Sequence, residues 1–248
     1  MIALIDLMIY AIRNVQYFVK VILMELEIRP PKLNELGQAI KVLYDAFKGE
    51  FRYIFGDYYE LGKKLLVNFY KRSVQKQELG NFLIAKHNGK IVATANLDFE
   101  NPRLHKFAFD FLKMNVHFLR ASTIIGLRRT IRITMSMYWF FIENFRKNSC
   151  YINLFAVLPE YHHRGIGTRM LKEIEKITRA KGLGSLTLDV TFSDAPARYL
   201  YEKMGFGEVR RFQSSLLKNF NAIDGVIAME KPLIYAESNR DFNSPDLN

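Results

Sequence analysis

The chain has 248 residues, 49% hydrophobic and 25% charged. That composition excludes a disordered tail, a collagen-like repeat or a multi-span membrane protein as a reading of the whole. Cys150 is the single cysteine, which rules out an intramolecular disulfide and a cysteine metal cluster and fits a reducing cytoplasm. With 36 Lys and Arg against 25 Asp and Glu, the net charge is +11. Such an excess favours anionic partners: nucleic acid, an acidic membrane surface or a phosphate-bearing small molecule.

Residues 1–23 are strongly apolar, yet Asp6, Arg13 and Lys20 break the run before it can span a membrane. No basic region precedes it and no small-residue cleavage site follows, so a signal peptide fits poorly. It reads as an amphipathic surface or dimer helix, a weak membrane contact, or an extension upstream of a start at Met24. Residues 24–234 form the main domain. Glu25 to Pro30 is a strand ended by Pro30–Pro31. Asn34 is placed as N-cap of a helix carrying Leu36, Ile40, Leu43 and Phe47. A second helical stretch runs from about Tyr58 to Arg72. Phe82 to Ala85 and Ile91 to Leu97 are hairpin strands around Asn88–Gly89.

Residues 100–149 interrupt the rhythm. They are apolar and hold nine Lys or Arg against three acids. A basic helical pair, inserted between the third and fourth strands, is expected here, although the alternation of Ile131, Ile133, Met135 and Met137 also fits a strand. Trp139, among Tyr138, Phe140 and Phe141, reads as core or interface. Tyr151 to Val157 is a strand. Gly165 to Ala180 is an amphipathic helix with Ile166, Met170, Leu171, Ile174 and Ile177 on one face and Gly182 beyond its end. Leu186 to Thr191 is a strand, Ala195 to Met204 a short helix stopped by Gly205, and Phe206 to Phe212 and Val226 to Lys231 are strands. Residues 235–248 read as a mobile polar tail. A hairpin followed by alternating strands and helices predicts a mixed α/β sheet with helices on both faces.

The informative stretch is Val157 to Leu171. A strand ends, Pro159 breaks it, and a loop with Gly165 and Gly167 enters a helix. A helix start offers unpaired N–H groups and a positive dipole end, and glycines let backbone approach an anion closely. His162, His163 and Arg164 add donors. This is the chemistry of a pyrophosphate site. No Lys-Ser/Thr follows Gly167, which excludes a P-loop, and Met170 stands where the dinucleotide fingerprint needs a third glycine.

These residues resemble the GNAT superfamily of N-acetyltransferases, whose loop reads Arg/Gln-x-x-Gly-x-Gly/Ala after a strand ending Val-x-Pro. Here it reads His162-His163-Arg164-Gly165-Ile166-Gly167 after Val157-Leu158-Pro159. A second match begins at Asp194: Ala197, Leu200, Tyr201, Gly205 and Phe206 fit the family's Asn-x-x-Ala-x-x-Leu-Tyr and Gly-Phe. Two positions depart from the pattern. His162 replaces Arg or Gln and carries less charge at neutral pH. Asp194 replaces Asn, and can cap a helix but cannot donate a hydrogen bond while ionised.

The resemblance implies a mostly antiparallel twisted sheet with a central splayed parallel pair, here Tyr151–Val157 and Leu186–Thr191. It implies acetyl-CoA as co-substrate, with pantetheine along Phe155, Ala156 and Val157. The pyrophosphate would lie on His162, His163, Arg164, Gly165, Ile166, Gly167 and Thr168, with Asp194 and Ala197 beside it. It implies acyltransferase activity, by direct attack of a primary amine on the thioester. Tyr201 aligns with the general acid; a phenol of pKa about 10 roughly suits a thiol of about 8.5. The candidate bases are Asp189, Asp98 and Glu160. No metal is expected, since His162 and His163 lack a third ligand. The acceptor is a small molecule, a peptide N-terminus or a lysine. The basic segment would shape its entrance, favouring acidic acceptors, and is a candidate homodimer contact. Two alternatives stand beside this reading: a non-catalytic acyl-CoA-binding module, and a basic nucleic-acid or membrane-surface protein, though no recognisable nucleic-acid motif is present.

Overall fold

The computed structural model describes residues 25–74, 79–99, 126–128, 130–131, 148–213, 218 and 223–233. Among these, seven strands form one sheet in the order β1-β2-β3-β4-β5-β7-β6. They are β1 (Leu26–Arg29), β2 (Phe82–His87), β3 (Lys90–Asp98), β4 (Ser149–Val157), β5 (Ser185–Thr191), β6 (Gly207–Phe212) and β7 (Val226–Pro232). All neighbours are antiparallel except β4 and β5. The helices are α1 (Leu36–Ala46), α2 (Lys48–Phe55), α3 (Tyr59–Val74), α4 (Ile166–Ala180) and α5 (Ala195–Lys203). The expected mixed sheet, splayed parallel pair and helices on both faces are all present.

The β2–β3 hairpin turns where the sequence placed it. Asn88 and Gly89 both have positive φ, 49° and 77°, as a two-residue primed turn requires. The first helix begins differently from the expectation. Asn34 lies inside a short 3-10 turn, Leu33–Glu35. There Glu35 closes the turn on Lys32: its N–H donates to the Lys32 carbonyl at 2.9 Å, and its carboxylate accepts the Lys32 N–H at 2.8 Å. The same carboxylate binds Arg29 of β1 at 2.7 and 2.9 Å and Lys86 of β2 at 2.8 Å. These bonds, Arg29 foremost, hold it well below the usual carboxylate range. The helix entry is thus chosen by a tertiary ion cluster that links β1, β2 and α1.

One sheet face packs against α1. Ala39 and Val42 meet Ile84, Ile91 and Leu158, while Leu36 and Ile40 meet Phe82. The other face carries Leu83, Ala95, Leu97, Cys150, Ile152, Leu186 and Leu188 against Ile166, Met170, Leu171 and Ile174 of α4. Ile177 packs against this cluster while partly buried, as expected, and Thr178 beside it is fully buried, its hydroxyl donating to the Ile174 carbonyl at 2.7 Å. Cys150 packs as a small, fully buried hydrophobe, and burial pushes its thiol up to about 12.

Expectations for residues 1–23, the Trp139 cluster and the tail 235–248 lie outside the described residues. So does most of 100–149. Within that segment Leu127, Arg128, Thr130 and Ile131 are helical, with the Thr130 N–H donating to the Gly126 carbonyl at 3.1 Å. No helix among the described residues is long and apolar enough to cross a membrane.

Candidate active site

β4 and β5 run parallel for four register pairs, Ser149↔Ser185 to Ile152↔Leu188, and then part. Gly184 starts them together: its N–H donates to the Asn148 carbonyl at 2.9 Å, and a Cβ there would come within 2.7 Å of the Asn148 side chain. Beyond Ile152, β4 stays paired with β3 as far as Val157, and β5 with β7 as far as Thr191. The register slip between Asn96 and Leu97 of β3 leaves Asn153 as the extra residue of β4. A bulge re-aims the strand that carries it, and this one falls where the two strands separate.

That fork leaves one edge of β4 open. Leu158 N–H donates to the Val92 carbonyl at 2.9 Å. Antiparallel alternation then turns Leu154 and Ala156 toward β3, and the N–H and C=O of Phe155 and Val157 away from it, into the fork. The Val157 carbonyl meets His162 Nε2 at 2.9 Å. A carbonyl only accepts, so Nε2 carries the proton.

The loop after β4 ends at an uncapped helix. Gly165 is the N-cap of α4, with φ 74° and no side chain bonded into the first turn. The first helical bond is Arg169 N–H to the Gly165 carbonyl at 3.0 Å. The N–H groups of Gly165, Ile166, Gly167 and Thr168 therefore lie ahead of the ladder, available to an anion. His163 precedes them with φ 58°. Gly167 permits close packing: a Cβ there would lie 2.9 Å from Leu200 of α5 and 3.8 Å from the Phe155 ring. Arg164 and Lys90 both stand over the Tyr161 ring, at 5.0 and 5.4 Å, so positive charge gathers beside this loop.

α5 begins in the opposite way. The Asp194 carboxylate accepts the Ala197 N–H at 3.0 Å, so the residue that departs from the family's Asn serves as an N-cap. Tyr201 is 7% exposed, with Phe206 at 5.8 Å and Phe155 at 6.4 Å between ring centroids. Burial first, and then the negative charge of Asp194, pushes its phenol above the ordinary tyrosine value. It keeps its proton throughout the physiological range.

The three candidate bases separate in space. Asp189 is the first β5 residue beyond the last parallel pair, and its carboxylate accepts the Tyr151 hydroxyl at 2.9 Å. Asp98, on β3, accepts the Asn153 amide at 3.1 Å. By strand alternation both face the side opposite Leu188, Phe155 and Tyr201. Glu160 lies instead on the surface turn after β4, where it pairs with Lys90 at 3.3 Å. Its own backbone N–H, and then Lys90, hold its carboxyl below the ordinary range. Tyr151 and Asn153, which aim the two aspartates, went unnoticed in the sequence. Their alternation with Ile152 on a strand next to Asp189 was the available signal. Among the described residues, no group of three His, Cys, Asp or Glu could hold a metal ion.

Solved structures share this fold. The PaiA N-acetyltransferase of Thermoplasma acidophilum, described in complex with coenzyme A, is 18% identical with a TM-score of 0.52, covering 85% of this chain and 100% of its own. A GNAT-family acetyltransferase of Streptococcus pneumoniae is 18% identical with a TM-score of 0.51, covering 84% and 99%. The ribosomal-protein-alanine N-acetyltransferase of Brucella melitensis is 16% identical with a TM-score of 0.51, covering 84% and 99%. No curated protein sequence matches the chain. The acetyltransferase (GNAT) family matches residues 40–206. That span holds the fork, the glycine loop and the Asp194–Phe206 stretch, and the chain belongs to the acetyltransferase (GNAT) family.

Proposed function

We propose that this protein is an acetyl-CoA-dependent N-acetyltransferase acting on a primary amine. The observation that carries the reading is the fork. The strands part after Ile152 and Leu188, and the open edge of β4 leads directly to the uncapped start of α4. The residues fit the co-substrate: N–H donors and cations beside the loop for a pyrophosphate, and the fork-facing backbone groups of Phe155 with the Val157 N–H for an extended amide-bearing arm, the Val157 carbonyl being taken by His162. That the Thermoplasma relative is described with coenzyme A supports the same choice.

Acetyl-CoA supplies the thioester carbon when bound. The chain's own residues then divide the work between the two faces of the fork. Asp189, held by Tyr151, takes a proton from the acceptor's ammonium and leaves a neutral amine. The amine nitrogen forms a bond to the carbonyl carbon, and the carbon–sulfur bond breaks. The surplus proton on nitrogen ends on the sulfur, which departs as a thiol. Backbone N–H groups at the β4 edge offer donors to the carbonyl oxygen as it gains charge. Tyr201, on the other face, donates a hydrogen bond to the leaving sulfur.

Calorimetric titration with acetyl-CoA, with adenosine as control, tests the reading. Binding of acetyl-CoA alone, followed by thiol release with an amine, is the expected result. Absence of binding would overturn it.

A further inference from the structure

Resting on that acetyltransferase reading, we propose that His162 links acetyl-CoA binding to proton uptake: the protonated imidazole holds the coenzyme more tightly than the neutral one. His162 stands where the family carries Arg or Gln. Arg is charged at every physiological pH and Gln at none, whereas an imidazole changes its charge between about pH 5 and pH 8.

The geometry fixes both the place of the ring and its tautomer. His162 closes the short turn Pro159–Tyr161, its N–H donating to the Pro159 carbonyl at 3.1 Å. Its Nε2–H reaches back to the Val157 carbonyl at 2.9 Å. In the neutral ring Nδ1 is then an acceptor. The ring is exposed, so Nδ1 exchanges protons with solvent. Protonation turns Nδ1 into a donor and adds a positive charge, and it leaves the Val157 bond in place. The loop then enters the uncapped start of α4 at Gly165. An acceptor next to a pyrophosphate bound there is repulsive, and a cationic donor is attractive. The coupling is reciprocal: an anion that favours the charged ring raises its affinity for the proton, and a lower pH raises the affinity for the anion.

The other charged groups of this corner set the level of binding and not its change between pH 6 and pH 8. Glu160, in the same turn, is held ionised by its own backbone N–H and by Lys90, which lies 3.3 Å away. Lys90 and Arg164, over the Tyr161 ring, stay cationic throughout. Two further imidazoles titrate nearby. The His87 ring meets Tyr161 edge-on at 6.0 Å, and its Nδ1 is turned to the Glu25 carbonyl at 3.1 Å. The His163 ring lies edge-on to His162 at 6.3 Å. Of the three, His162 is the one bonded to the end of β4, between the open strand edge and the start of α4.

The test is calorimetric titration of the full chain with acetyl-CoA at pH 6, 7 and 8 and constant ionic strength. From pH 6 to pH 8 the native Kd is expected to rise about tenfold more than that of His162→Gln. The coenzyme's own phosphomonoester titrates near pH 6, but it contributes equally to every variant and cancels from the comparison. His162→Gln should match the native protein at pH 8, and His162→Arg should match it at pH 6. Both substitutions keep an N–H donor for the Val157 carbonyl. Titrations at pH 7 in two buffers of different ionisation enthalpy count the protons directly: the native protein should take up protons that His162→Gln does not. Equal pH dependence in the native protein and His162→Gln would overturn the inference. So would loss of the linkage in His163→Gln or His87→Gln with His162→Gln unchanged. Each of these outcomes leaves the acetyltransferase reading standing, because acetyl-CoA still binds. Absence of binding to the native protein at every pH would end both.

Discussion

Ile152 on β4 and Leu188 on β5 are the last partners of the parallel pair, and both are buried. One residue further, Asn153 bulges and Asp189 faces the opposite side of the sheet. The opening costs little backbone pairing, because each strand keeps its outer neighbour: β3 holds β4 and β7 holds β5. The Phe155 backbone groups and the Val157 N–H on the inner edge of β4 face the fork, while the Val157 carbonyl meets His162; backbone groups of that kind require partners when buried.

Tyr201→Phe removes one hydroxyl from a packed site without changing its volume. Turnover is expected to fall about a hundredfold, with the Kd for acetyl-CoA within about twofold. Stopped-flow thiol release paired with calorimetry reads both quantities. The raised phenol of Tyr201 also means that no alkaline fall in rate from this group should appear below about pH 10. Unchanged turnover at saturating substrate would remove Tyr201 from its role.

Gly165→Ala puts a Cβ on a residue with φ 74°, which is disfavoured by about 1 kcal/mol. A fall of roughly 2–4 °C in Tm follows for a chain of this size. The added methyl also stands at the anion-facing turn, so acetyl-CoA should bind more weakly. Calorimetry on the folded variant separates the two effects.

Asp194→Ala deletes the cap of α5 and should lower stability by about 1 kcal/mol. Asp194→Asn keeps an acceptor for the Ala197 N–H and should recover most of that loss. Both variants remove the negative charge that helps raise the Tyr201 phenol, so the two effects can be told apart by comparing urea unfolding with a tyrosine titration monitored by ultraviolet absorbance.

Glu35→Gln tests the ion cluster under α1. The native carboxyl titrates below its unfolded value because Arg29 and Lys86 bind the ionised form. Its contribution is therefore complete above the unfolded value of about 4.3 and is lost as pH falls through the lower folded value. The variant should be less stable by about 1–2 kcal/mol at pH 7, and the difference should shrink at pH 3. Urea midpoints at the two pH values decide it; a pH-independent difference would mean that the carboxylate's charge is not what holds the cluster.

The sequence by itself determined the locally encoded parts. Asn88–Gly89 carries its turn in two adjacent residues, and the apolar stripe of Ile166, Met170, Leu171 and Ile174 sets one helix face by period alone. The glycine loop and the Asp194–Phe206 stretch were readable because their chemistry needs residue types at fixed short spacings. Helix Lys48–Phe55 was missed, since its core contacts lie in other elements: Phe55 packs across the bare Gly62 of α3, where a Cβ would come within 2.6 Å of the ring. Asn34 was misplaced because a carboxylate held by two other strands set the helix start. Tertiary structure alone decided where β4 and β5 separate, that Asp98 and Asp189 share a face while Glu160 stands on the surface, and that Tyr201 lies across the sheet from them. Those facts depend on pairing between residues tens of positions apart, and no local period or spacing records which backbone edge is left without a neighbour.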